Sequence, residues 1–124
     1  MIKKIDIGHP HVLAFRVEGK VDVQDMKASQ KIIKPELESD APFNLYLEMA
    51  ATEGVEPAAI QERVRFILSN FSDVLNKVRK IALVTDKSWL QHLMSGVFTV
   101  VTSVEQRSFS LEDADAARRW VAAH

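Results

Sequence analysis

Ser88 and His92 stand four residues apart. On a helix that spacing brings a hydroxyl and an imidazole close enough to touch. A serine at a helix start also lies where backbone amides favour an anion. The rest of an acyl-transfer site is missing: no Gly-x-Ser-x-Gly elbow surrounds Ser88, and no acid is placed to orient His92. Ser88 has a simpler use as a helix cap, with Gln91 three residues on to close a capping box. His9 and His11 point the same way in an extended segment, which is half of a metal site, but no third ligand stands at the right spacing. They read as exposed turn residues, and His124 as a frayed terminus. The four glycines are too scattered to cradle a phosphate. With no cysteine, thiolate ligands, disulfides and cysteine nucleophiles are excluded. The chain is expected to be no enzyme and to need no metal or cofactor.

Two further stretches invite a chemical reading. Thr52-Glu53-Gly54 lies in a small polar segment, Ala50 to Glu56, ahead of Pro57. A negative charge there favours the helix start that Pro57 signals. Asn70-Phe71-Ser72 is a glycosylation sequon, but no secretion signal accompanies it, so it reads as incidental.

The elements that must position these residues follow from patterning. Lys80-Ile81-Ala82-Leu83-Val84-Thr85-Asp86 is an apolar run between polar ends, the mark of a short parallel strand buried on both faces. Before it come two short strands around Ile2–Ile7 and Val12–Val17, with Gly8-His9-Pro10-His11 as the turn of an antiparallel hairpin. A helix capped by Asp22 follows, and Pro35 should kink or divide it. Phe43 to Met49 alternates as a third strand. Ile60, Val64, Ile67, Leu68, Phe71 and Leu75 mark one face of a long helix. After the Ile81–Val84 strand come a helix over Ser88–Val101, a strand over Val104–Phe109, and a last helix opened by Ser110 with Asp113. The fold class is α/β, in the order β-β-α-β-α-β-α-β-α. The sheet has five strands, mostly parallel with the first antiparallel, and helices cover it. No linker divides residues 1–124, which form a single domain.

In this order several stretches resemble the SpoIIAA-like family within the STAS (sulfate transporter and anti-sigma-factor antagonist) fold. They are Gly19-Lys20-Val21-Asp22-Val23-Gln24-Asp25, Leu45-Tyr46-Leu47-Glu48-Met49, the run from Arg79 to Trp89, Val104-Glu105-Gln106-Arg107-Ser108-Phe109, and Ala117-Arg118-Arg119-Trp120-Val121. The resemblance implies a regulatory or interaction domain. In anti-sigma-factor antagonists a serine is phosphorylated within an Asp-Ser-Ser-Gly-like loop after the third strand. Here the corresponding stretch is Ala51-Thr52-Glu53-Gly54, with Glu53 in the serine position and Ala51 for the leading aspartate. The resemblance therefore implies a partner loop at Thr52, Glu53 and Gly54 without the phosphorylatable serine. Members of this wider fold also resemble CRAL-TRIO lipid-binding domains, which implies an alternative, a binding module for a small apolar or lipid-like ligand.

The helix over Ser88–Val101 carries more apolar surface than one sheet face requires. Leu90, Leu93, Met94, Val97, Phe98 and Val101 form a stripe, Trp89 and Val100 lie off it, and Leu93 to Val104 holds no charge. Four readings stand: burial among neighbouring helices, a self-association surface, an apolar ligand groove, and a membrane-surface helix, the last weakened by the lack of basic residues. Trp89, Leu93, Val97, Val100 and Val101 are the candidates for self-association or apolar ligand contact.

Composition limits the partners. The 16 basic and 17 acidic side chains leave no positive field for nucleic acid. The charge-free run of about a dozen residues falls short of the roughly 20 that cross a bilayer, so no membrane insertion is expected. Absence of cysteine and of a signal-like start fits the cytoplasm. The expected state is a homodimer acting through protein contacts.

Overall fold

Ile81, Ala82, Leu83 and Val84 are completely buried, as a strand covered on both faces requires. The computed structural model of the chain describes residues 1–98 and 103–123, with the backbone alone at 97 and 98. These four residues belong to β4 (Val78–Val84), which pairs in parallel with β3 (Phe43–Val55) on one side and β5 (Glu105–Phe109) on the other. Beyond β3 come β2 (Val12–Val21), also parallel, and β1 (Ile2–Ile5), antiparallel at the edge. The expected mixed five-stranded sheet is present, in chain order from edge to edge.

Period-two alternation sends the strands' side chains into two layers. On one face Leu13, Phe15, Leu45, Leu47, Ile81 and Leu83 meet four helices. These are α1 (Val23–Glu38), α2 (Pro57–Ser69), α3 (Phe71–Lys77) and α4 (Ser88–Phe98). On the other face Ala14, Tyr46, Ala82 and Val84 pack on Ala117 and Val121 of α5 (Ala114–Ala122). Asn44 ties the layers together. Its amide donates to the Val121 carbonyl at 2.7 Å, and its side-chain oxygen accepts from the Lys80 amide at 3.0 Å.

Local signals hold in some places and yield in others. Asp22 caps α1 in a reciprocal box with Asp25. Pro35 does not divide that helix. It falls in the last turn, where its missing amide removes one hydrogen bond and the chain continues to Glu38. The long helix expected from Pro57 to Leu75 breaks at Asn70, whose side chain donates to the Phe66 carbonyl and accepts from the Lys34 ammonium group. The sequon asparagine thus joins α2, α3 and α1.

The segment from Ala50 to Val55 is strand, not loop. It pairs with Glu18–Val21 of β2, and two register shifts interrupt the ladder. Between Thr52, opposite Gly19, and Gly54, opposite Lys20, Glu53 is an extra residue on β3. Gly19, opposite Thr52 on the unbulged strand β2, takes the left-handed conformation, with φ of 65°. The bulges break the alternation, so the sequence there loses its strand signature.

Two caps also differ from expectation. The Gln91 amide donates to the Lys87 carbonyl, so Ser88 lies in the first turn of α4 and is not its cap. Ser110 bonds to the Asp113 carboxylate through its hydroxyl, and a short 3-10 turn at Leu111–Asp113 precedes α5.

Burial separates structural from peripheral leucines. Leu83→Ala should lower the unfolding free energy by about 2–5 kcal/mol. Leu68→Ala, at a site 60% exposed, should change it by about 0.5 kcal/mol or less. Urea denaturation of the two variants checks the contrast.

Candidate functional site

Between the four-helix layer and the sheet lies an apolar cavity of about 60 Å³. Leu47 of β3, Met26 and Ser29 of α1, Arg63 of α2, and Leu90 and Leu93 of α4 contribute to its wall. Among the described residues only Ser29 and Arg63 bring polar side chains to that wall. A second apolar space of about 30 Å³ opens toward α3, and Arg63, Ile33 and Leu45 border both.

Arg63 is there because of helical spacing. Ala59 and Ile67, four residues to either side, are the buried residues of α2, and Arg63 lies on the same stripe. Its Nη2 donates to Ser29 Oγ at 2.7 Å, and that hydroxyl donates onward to the Met26 carbonyl at 2.8 Å. Although the residue as a whole is half-buried, its Nε is closed to solvent and has no hydrogen-bond partner. No carboxylate pairs with it among the described residues. Burial pulls its pKa down to about 10, so the guanidinium stays charged at neutral pH in apolar surroundings.

The residues singled out in the sequence occupy two adjoining places. In α4, Leu90 is fully buried and Leu93 borders the cavity, whereas Trp89 is 42% exposed. Val97 lies in the helix, with its side chain undescribed, and Val100 and Val101 fall outside the described residues. At the end of β3, Thr52 is buried, its hydroxyl donating to the Val17 carbonyl at 3.0 Å. Glu53 is exposed on the bulge and Gly54 is half-buried. The Lys87 ammonium reaches the Thr52 carbonyl, which ties the start of α4 to the end of β3. Ser88 and His92 are both exposed. His11 is half-buried, not a fully exposed turn residue. Its Nε2 lies 2.7 Å from the Ala122 carbonyl, so it holds the end of α5. Among the described residues no group of three metal-ligating side chains converges.

Arg63 went unread because the apolar face read from the sequence, Ile60, Val64, Ile67 and Leu68, leaves it out. The structure leaves Val64 and Leu68 exposed and turns Ala59, Arg63 and Ile67 inward. The usable signal was a basic residue four positions from both Ala59 and Ile67.

The opposite sheet face carries a second polar group. Glu48 accepts from Arg16 Nε at 2.6 Å and from Tyr46 OH at 2.9 Å, and Arg118 Nη2 approaches at 3.4 Å. Arg16 and Glu48 are register partners on β2 and β3. Burial pushes the Glu48 carboxyl upward, but the bonds from Arg16 and Tyr46 and the two guanidinium charges outweigh it and hold the carboxyl below its ordinary value. Every member is satisfied, which marks a structural network.

A five-stranded mixed sheet, with four helices on one face and one on the other, defines a small α/β domain of STAS type. The SpoIIAA-like family model matches residues 12–122, and the chain belongs to the SpoIIAA-like family. Among solved structures it is similar to an uncharacterized protein of the DUF3478 family from Shewanella loihica PV-4, which has a SpoIIAA-like fold. The two share 18% identity with a TM-score of 0.71, over 98% of this chain and 92% of that one. No curated protein matches the chain. Among the described residues no helix is long and apolar enough to cross a membrane.

Glu48 gives a pH test. Because its folded-state pKa is lowered, its contribution is complete above the ordinary glutamate pKa of about 4.3 and is lost as pH falls below it. Glu48→Gln should reduce stability at neutral pH by about 1.5–3 kcal/mol and flatten the acid limb of the stability profile. Urea midpoints measured across the acid range check both effects.

Proposed function

We propose that this SpoIIAA-like domain is a non-enzymatic binding module that holds a small apolar molecule between its sheet and α4. The cavity under Leu90 and Leu93 carries this reading. An empty apolar space of 60 Å³ costs a fold about 1.5 kcal/mol, at roughly 24 cal/mol per Å³. Each water-sized group needs about 10–15 Å³, so there is room for about four atoms of a short aliphatic chain. The wall offers a water almost nothing to bond, which favours an apolar occupant.

A second reading, a homodimer acting through protein contacts, draws support from the outer surface. Trp89 stands 42% exposed at the start of α4, and Leu68 and Val64 are exposed on α2. Large apolar side chains left in water mark contact surfaces when they cluster. Glu53, exposed on its bulge beside the Lys87–Thr52 contact, offers a fixed negative charge to a partner.

Xenon dissolved with methyl-labelled protein should shift the Leu47, Leu90 and Leu93 signals while leaving Leu68 in place. Unmoved cavity methyls would sink the ligand reading. Native mass spectrometry of protein purified from cells addresses both readings at once, as a small co-purified mass or as twice the 14.0 kDa chain. A clean monomer at high micromolar concentration would remove the homodimer.

A further inference from the structure

We propose that the groove between α1 and α2 is a docking site for an acidic helix of a partner protein. Lys27, Lys31 and Lys34 stand at i, i+4 and i+7 on α1. With Pro35 and the Phe66 ring of α2 they line an open groove of about 460 Å³. Among the described residues no acidic side chain lines this groove. Lys27 and Lys31 are exposed, and no carboxylate pairs with either among the described residues. Lys34 is held at the far end by the Asn70 side chain, with Glu38 at 3.6 Å. The helix itself gains nothing from this stripe. Like charges three and four positions apart repel on a helix surface. A helix favours cations in its last turn, where α1 has Glu36 and Glu38 and no base. On a chain of net charge -1, the lysines concentrate a positive field at one groove.

Spacing and charge define the occupant. At ~1.5 Å per residue the lysines rise along α1 by about 6 Å and then about 4.5 Å. Glutamates at i, i+3 and i+7 of an antiparallel helix repeat those rises in reverse, so each carboxylate meets one ammonium group. Same-face residues of a strand recur every ~6.7 Å, which matches the first step and misses the second. An apolar residue on the same face of the incoming helix rests on Phe66, the usual mode of a helix lying in a groove. A second copy of this chain does not supply the ligand, because none of its described helices carries acids at that spacing. The groove shares no lining residue with the cavity under α4, so its occupant is independent of the apolar-ligand reading.

An alanine-rich helical peptide with glutamates at i, i+3 and i+7, titrated into the isotope-labelled full chain, should shift the NMR signals of Lys27, Lys31, Lys34 and Phe66. Trp89 should stay in place. Replacing the glutamates by glutamine, or moving them to i, i+2 and i+5 around the helix, should weaken binding about tenfold, the ratio a few exposed ion pairs supply. Lys27→Glu with Lys31→Glu should cost about tenfold or more. Lys3→Glu with Lys4→Glu makes the same change of charge on β1 and should cost about twofold or less, since salt screens distant charges. All four positions are exposed, so both variants should fold. Equal binding of the glutamate and glutamine peptides, equal losses in the two charge-reversal variants, or no binding at all would overturn the acidic-helix assignment. Phosphatidylglycerol vesicles provide the last arm. Binding to them through Lys27 and Lys31, with no response to the peptide, would overturn the proposal and give the stripe to a membrane surface.

Discussion

The double-sided burial of Ile81–Val84 is the constraint on which the rest of this domain depends. A strand with no exposed side chain needs partners on both edges and layers on both faces. β3 and β5 satisfy the edges, the four-helix layer satisfies one face and α5 the other. The two layers are unequal. Tyr46, Ala82 and Val84 meet the small side chains of a single nine-residue helix. Leu47, Ile81 and Leu83 face four helices that cannot all approach closely, and that is the side where the cavity lies.

Polar groups make the same division. On the α5 side, Lys80 donates to the carbonyls of Trp120 and Ala123 at the end of α5 and lies over the Trp120 ring. Such a cation offsets the negative end of the helix dipole. Glu48 is shared among Arg16, Tyr46 and Arg118. On the four-helix side Arg63 is under-bonded, and the Gln30 side-chain oxygen is the other buried atom without a partner among the described residues.

Much of the fold was legible from local order. Alternation in Leu45–Met49, the apolar run of β4 and the Asp22 cap gave strands and helix starts with the right neighbours. The misread elements share one cause. Asn70 ends α2 through contacts with Phe66 and Lys34, and the strand at Ala50–Val55 exists because β2 reaches far enough to pair with it. Neither effect is written in its own segment. The site was less legible still: Leu93 was singled out, whereas Arg63 was not, because the apolar face of Ile60, Val64, Ile67 and Leu68 has no place for a charge.

The sequence by itself determined the class of fold and the order of its elements, since periodicity and caps are local properties read within a turn or a strand pair. It also determined that α4 would carry more apolar surface than a sheet needs. Tertiary structure alone decided which stripe of α2 turns inward, and with it the burial of Arg63 against Ser29, thirty-four positions away. The stripe through Ala59, Arg63 and Ile67 turns inward although the one through Ile60, Val64 and Leu68 is the more hydrophobic. The choice between them belongs to the packing of α1 and the sheet, which no window of sequence contains.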